Sequence, residues 1–315
     1  MKLPVTLRRP RALDVVVVGE NSMDLVATVD QYPLPDTKIE VTDLMERPGG
    51  EAAAAAVGLS RLGWRAKYVG RFGDDAWGQR GRRALVNEGV DVESCVIVPG
   101  VTSRIAIIVV DSSSGSRTVM WRRAPQLALG AGDVDDAVVG QTRVLLVGSD
   151  DVQAMTSAAR RGRAQDVRTV GDLERIHPGT DALLRQLDVV IMAASFPEAF
   201  TGIAHPGAAL RAVAEQSGAA LVCVTLGRDG CLALVAGEEI HVPAFAVEPV
   251  DTTGAGDLFR AGFIARWLQE PNGPKVEDVL RYAAAVAALN CRGRGAWAGA
   301  PRASEVDILL QSGRG

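Results

Sequence analysis

One segment of the 315-residue chain places a candidate base beside a candidate anion cradle. It reads Val250-Asp251-Thr252-Thr253-Gly254-Ala255-Gly256-Asp257, followed by Leu258-Phe259-Arg260-Ala261-Gly262-Phe263-Ile264. Gly254 and Gly256 let the backbone turn sharply and leave its N–H groups uncovered. A helix starting directly after them aims those donors, and its positive end, at one point where an anion belongs. Asp257 falls in the first helical turn, where a carboxylate can take a proton from an attacking hydroxyl. A base next to an oxyanion cradle is what phosphoryl transfer to an alcohol needs. Gly-x-Gly-Asp alone favours the plainer reading of an N-capped helix after a turn.

Other reactive side chains are sparse. Arg260 lies three residues beyond Asp257 on the same helical face, within reach of a phosphate. Arg228, in the turn Thr225–Gly230, is placed to meet a nucleotide. Arg104, Arg122 and Arg123 fall in strand-like sequence and on an ordinary strand pattern face water. The functional alternative is that one of them, Arg104 first, binds an anionic group on the substrate. His177, His205 and Ser149 form no catalytic arrangement. Cys95, Cys223, Cys231 and Cys291 lack CxxC spacing, so neither a disulfide framework nor a zinc site is expected.

These residues need a scaffold, and the apolar runs supply one. Strands are expected at Val15–Val18, Ala66–Gly70, Val144–Val147, Val167–Val170, Val189–Met192 and Leu221–Thr225. Helical patterns fall between them, at Glu51–Leu62, Trp77–Glu88, Val152–Arg163 and Ala208–Gln216. Such alternation predicts an α/β fold with a parallel sheet covered on both faces. Leu25–Val41 and Arg104–Trp121 break the rhythm with strand patterns and no helix between them. Ile105–Asp111 and Arg117–Trp121 flank the turn sequence Ser112-Ser113-Ser114-Gly115-Ser116, a hairpin signal. Together these stretches form a small antiparallel flap, placed where a substrate lid belongs.

Composition narrows the function. Thirty-four cations against 38 carboxylates give −4, which argues against a broad basic surface for nucleic acid or anionic membrane. The basic cluster Arg8-Arg9-Pro10-Arg11 precedes only four valines, too few for a signal peptide. No run reaches the ~18 apolar residues of a membrane span, and a cytoplasmic protein is expected. None of the four lysines is followed by Ser or Thr, which excludes a Walker-type P-loop. Gly19-Glu20-Asn21 lacks the second glycine of a dinucleotide fingerprint, and no Gly-x-Ser-x-Gly elbow is present.

Asp251, Thr252, Gly254, Ala255, Gly256, Asp257, Ala261 and Gly262 together resemble the C-terminal signature of the ribokinase (PfkB) family of sugar kinases. The resemblance runs along nearly the whole chain. Gly19-Glu20 with Asp24 is similar to the family's first-strand segment, and Gly49-Gly50 before an Ala-rich helix to its N-terminal signature. Val224-Thr225-Leu226-Gly227 with Asp229-Gly230 resembles its nucleotide-phosphate turn, and Arg281–Gly295 its adenine-side helix and loop.

This likeness implies a ribokinase-like three-layer αβα sandwich with a mainly parallel central sheet. Residues 1–315 would form a single kinase domain whose β lid spans about 25–47 and 101–123. It implies ATP and Mg²⁺, with Asp257 deprotonating a sugar hydroxyl, usually a primary one, and Gly254, Ala255 and Gly256 holding the phosphoryl. The implied acceptor contacts are Asp24, Gly49, Gly50, Glu51 and Arg104. The implied nucleotide contacts are Thr225, Gly227, Arg228, Gly230, Thr253, Gly254, Gly256 and Asn290. A monovalent cation, generally K⁺, would sit at Asp251 and Thr253, and lid contacts would allow a homodimer.

The chain also departs from the family pattern. Ala54 replaces the Asn of Gly-Gly-x-x-x-Asn, and Glu51 stands where ribokinase carries Lys, which argues against ribose itself. Ala193 and Phe196 occupy the Asn-x-x-Glu element that orders Mg²⁺ waters, with Glu198 or Ser195 as the nearest substitutes. Two alternatives follow: a nucleoside kinase of the same fold, for which Trp121 is the main stacking residue, or a catalytically weakened sugar- or nucleotide-binding sensor.

Overall fold

The computed structural model describes residues 1–8, 10–114 and 117–312. Val15–Val18 is valine throughout, and an unbroken β-branched run suits a strand covered on both faces. It lies within an eight-stranded sheet. In spatial order the strands are Glu238–Val242, Cys231–Val235, Leu221–Thr225, Val189–Ala193, Arg168–Leu173, Val144–Val147, Val15–Val18 and Ala66–Val69. The last six run parallel, and the first two form an antiparallel edge.

Because successive strand residues point to opposite faces, the sheet divides the core in two. Val15, Val17, Leu146 and Ile191 pack toward helices Glu51–Arg61, Ala255–Gln269 and Val276–Asn290. Val16, Val18, Leu145 and Met192 pack toward Val152–Ala164 and Pro206–Ser217. The result is three layers, as expected. The strands at 144–147 and 221–225 and the helix from Glu51 match their expected bounds closely, while the strand expected over 167–170 continues to Leu173. Those added residues put Asp172 at the carboxyl end of the sheet.

A second sheet of four strands covers that end, in the order Asp43–Gly49, Ser22–Val29, Ile105–Asp111, Arg117–Arg122. Its outer pairs are antiparallel and its middle pair parallel. The expected Leu25–Val41 stretch is corrected here: its first strand begins at Ser22, and its partner lies beyond it at Asp43–Gly49. Asp43–Gly49 is an edge strand that mixes charged residues with Leu44, Met45, Pro48 and Gly49, so it carries no strong strand pattern. Gly115 and Ser116 of the hairpin turn, and Arg9 of the basic cluster, lie outside the described residues.

Register fixes which lid side chains meet the main domain. Asp24, Ala106 and Trp121 align across three strands, as do Val26, Ile108 and Val119. Leu25, Ile107 and Met120 align on the opposite face, where Ile107 and Met120 are exposed. Among the described residues no helix is long and apolar enough to cross a membrane.

Candidate active site

The glycine loop opens the helix Ala255–Gln269. Gly254 adopts φ 75°, and a methyl there would collide with the Ala296 carbonyl. Asp251 braces the turn, accepting from the Thr253 amide and from the Gly295 amide, each at 2.8 Å. The amides of Gly254 and Gly256 make no hydrogen bond with another described residue, while that of Ala255 reaches the Thr252 carbonyl at 3.3 Å, so the loop presents open donors at the positive end of a 15-residue helix.

Asp257 is 6% exposed and lines the cleft. Burial holds its carboxyl well above the ordinary carboxylate range, with Asp172, Glu174 and Glu51 adding to the shift and Arg260 opposing it. Its carboxylate makes no hydrogen bond or ion pair with another described residue.

The lid contributes Asp24, buried and accepting from Ser22 Oγ at 2.6 Å. Burial raises its pKa, with Ser22 and Arg104 opposing. Gly49 packs so closely behind Asp24 that a methyl there would strike the carboxylate, while Gly50 lines the cleft. Between lid and loop lies a cleft of about 470 Å³. Its walls include Asp24, Gly50, Glu51, Arg104, Arg117, Trp121, Glu174, Arg175, Ala193, Ser195 and residues 252–257.

The arginine expectation needs correction. Arg122 is exposed, but Arg104 and Arg123 turn inward onto Glu20, at 3.1 and 2.8 Å, and Arg123 also pairs with Asp151 at 2.9 Å. Buried carboxylates past the strand ends draw them from water. Arg175, which the sequence reading missed, lies 2.5 Å from Asp150, 3.3 Å from Glu51 and 3.6 Å from Glu20. The oxygens of those three acids come within metal-binding reach of one another, yet a guanidinium already stands among them. Arg104 and Arg175 both approach the Trp121 ring, 5.4 Å from its centroid. His177 Nε2 meets Asp150 at 2.9 Å, and the Ser149 hydroxyl accepts from the Glu174 and Arg175 amides.

Other expected positions lie outside the cleft. Asn290 is wholly buried, and its amide donates to the carbonyls of Thr253 and Ala296, each at 3.1 Å. Asn290 thus braces the loop from behind. Ala54 is also wholly buried, and Phe196 stacks on Phe200 in the core. Glu198 is exposed on a short helix. The cleft carboxylate near the loop is instead Glu174, which forms no ion pair among the described residues; its Oε1 lies 3.9 Å from where a Gly256 methyl would stand. Its position just past a parallel strand, in the crevice where ligands of such sheets bind, was the available signal. Thr225, Gly227, Arg228 and Gly230 shape a turn after the strand Leu221–Thr225, with Arg228 exposed. At the positions that the resemblance gives to K⁺, both Asp251 oxygens accept amides and the Thr253 carbonyl accepts from Asn290.

A mainly parallel sheet, a lid, and a helix-opening glycine loop with a buried Asp define a phosphotransferase-type site. Residues 12–303 match the pfkB family of carbohydrate kinases, and the chain belongs to that family. It is 28% identical over 320 residues to fructokinase-1 of Oryza sativa subsp. japonica, covering 95% of this chain and 98% of that protein. It is 26% identical over 301 residues to a nucleoside kinase of Methanothermobacter thermautotrophicus, covering 93% and 94%. The structure of Arabidopsis thaliana ribokinase complexed with ribose and ATP superposes with a TM-score of 0.82 at 24% identity, covering 95% of this chain and 99% of that one. Members of the family are ATP-dependent phosphotransferases, and this chain is a sugar or nucleoside kinase.

Proposed function

We propose that the protein transfers the γ-phosphoryl group of ATP to a hydroxyl of a sugar or sugar derivative. Asp257 is the general base, and the amides of Gly254, Ala255 and Gly256 form the anion hole. One observation carries this reading: a buried carboxylate with no protein partner faces the cleft in the same helical turn as uncovered amide donors. Asp24, on the lid face of that cleft, is placed to accept acceptor hydroxyls. Removal of the hydroxyl proton by Asp257 sharpens the nucleophile, while the amides meet charge growing on the phosphoryl oxygens.

The residues present fit a nucleotide with its metal. The free amides suit phosphate oxygens, and Glu174 with Ser195 would hold the waters of Mg²⁺ in place of the absent Asn-x-x-Glu pair. Bound there, Mg²⁺ would offset triphosphate charge. That substitution also motivates the rival reading, a binding protein with little turnover.

The two readings separate in one assay. ADP release is measured with ATP and Mg²⁺ against ketoses, aldoses, sugar acids, sugar phosphates and nucleosides, with Asp257→Asn alongside. Turnover of one acceptor, reduced about 10²–10⁴-fold or more in Asp257→Asn, is expected. Equal rates would remove Asp257 from the mechanism. Thermal stabilisation by a ligand without turnover would favour the binding protein.

A further inference from the structure

Three guanidiniums line the cleft, those of Arg104, Arg117 and Arg175. Two of them are already engaged from behind. Arg104 Nη2 lies 3.1 Å from Glu20 Oε2, and Arg175 Nη2 lies 2.5 Å from Asp150 and 3.6 Å from Glu20. Glu20 and Asp150 line a small cavity beneath the cleft, together with Asp151 and Glu51. Arg117 has no carboxylate partner among the described residues, but it stands at the other end. It lies four residues from Trp121 along the strand Arg117–Arg122, about 13 Å, and donates to the Thr252 hydroxyl beside the glycine loop.

Charge at the Trp121 end does not balance. Behind the cleft, Arg104, Arg123 and Arg175 answer Glu20, Asp151 and Asp150, three against three. That leaves Asp24, Glu51 and Asp257, all of which line the cleft. Asp24 shares a row of the lid sheet with Ala106 and Trp121 and has no ion pair among the described residues. Asp257 is 6% exposed and has no partner among them at all. Glu51 opens the helix Glu51–Arg61 directly after Gly50. Its Oε1 lies 3.3 Å from Arg175 Nη2, the same nitrogen that meets Asp150 and Glu20. Burial, and then Glu174 and Asp172, hold the Glu51 carboxyl well above the ordinary range, in keeping with a surplus of negative charge.

We infer that this end of the cleft takes an uncharged sugar as acceptor and turns away sugar acids and sugar phosphates, with Glu51 setting the choice. The inference rests on the reading of the protein as a sugar kinase. An anionic group brought beside Asp24, Glu51 and Asp257 meets no guanidinium without a carboxylate already on it. Sugar hydroxyls, being donors, suit such carboxylates. The one cleft arginine without a carboxylate partner among the described residues, Arg117, stands instead at the glycine loop, where the triphosphate belongs.

Two measurements test this, one of them independent of turnover. Phosphorylation is compared for glucose against glucuronate, and for fructose against its 1- and 6-phosphates. The uncharged sugar should have the higher kcat/KM by about a hundredfold or more, the cost of a like-charge contact. Glu51→Gln should narrow that ratio about tenfold by lowering KM for the charged sugar. Trp121, half exposed and approached by Arg104 and Arg175, reports the local potential directly. Its emission is isolated by difference from Trp121→Phe, and quenching is scaled to that of free N-acetyltryptophanamide. Iodide should quench it less well than acrylamide, and caesium at least as well as acrylamide. Glu51→Gln should bring iodide and caesium closer together, and the wild-type quenching keeps the test open if that variant does not fold. Iodide quenching equal to or above that of caesium, or a higher kcat/KM for a charged sugar, overturns the inference. An unchanged ratio and unchanged quenching in folded Glu51→Gln overturn the part given to Glu51. Exclusion of iodide in a protein that phosphorylates no sugar upholds the rejection of anions and overturns instead the reading as a sugar kinase.

Discussion

Asp24 depends on a glycine for its place. Its Oδ2 occupies the space where any side chain at 49 would begin, and the Ser22 hydroxyl orients Oδ1 at 2.6 Å. Gly49→Ala should therefore act on the acceptor rather than on the nucleotide. The expected result is a KM for the acceptor raised about tenfold to a hundredfold, the worth of a hydrogen bond to a charged group, with KM for ATP unchanged. Asp24→Asn should show the same selectivity, and the two changes together should cost less than their sum because they remove one interaction. Steady-state kinetics of the three variants would decide it; a matching rise in KM for ATP would refute the assignment. Asp24, Glu51 and the loop from Asp251 to Asp257 were legible in sequence because each sits in a contiguous pattern. Glu174 and Arg175 were not, since their role comes from strand neighbours distant in the chain.

At the scale of elements, polar side chains tie the lid to the main domain, among them Arg104 with Glu20, Arg80 with Glu46 and Arg294 with Asp43. Arg117 begins its outer strand, faces the cleft in alternation with Val119 and Trp121, and donates to the Thr252 hydroxyl at 2.6 Å. It forms no ion pair among the described residues, so this bond is its direct tie to the glycine loop. Arg117→Ala should loosen the lid without touching the core. Losing one such bond, about 1 kcal/mol, should raise amide exchange in Ile105–Arg122 by roughly fivefold while the central strands stay protected. Uniform acceleration through both sheets would mean instead that the lid does not open on its own. The lid shows where sequence patterns stop working. Ile105–Asp111 was readable from its β-branched run and turn, whereas Asp43–Gly49 is recognisable only by its pairing with Ser22–Val29.

At the scale of the molecule, three layers bring the carboxyl ends of six parallel strands under one lid, and they bury charge there that neither segment could hold alone. Asp172 and Arg260 are 88 residues apart in sequence and 2.7 Å apart in the fold. The strand expected from sequence ends at Val170, short of Asp172, and only the packing of the helix Ala255–Gln269 against the sheet supplies its counter-ion. Even so, burial dominates, and the Asp172 carboxyl is pushed up to about 7, with Arg260 opposing the shift and Glu174 and Asp150 adding to it. Its unfolded value is near 3.9. Between those two values the folded state holds a proton that the unfolded state has released. Stability from this group is thus fully present below about pH 4 and is lost as pH rises through about 7. Asp172→Asn has no such proton to lose. Although leaving Arg260 unpaired should lower the variant's melting temperature overall, its deficit relative to wild type should shrink as pH rises from about 5 to about 8. Melting curves of both proteins across that range test the point. A deficit that stays constant, or widens, would show that Asp172 is ionised throughout and that the pair is a fixed salt bridge.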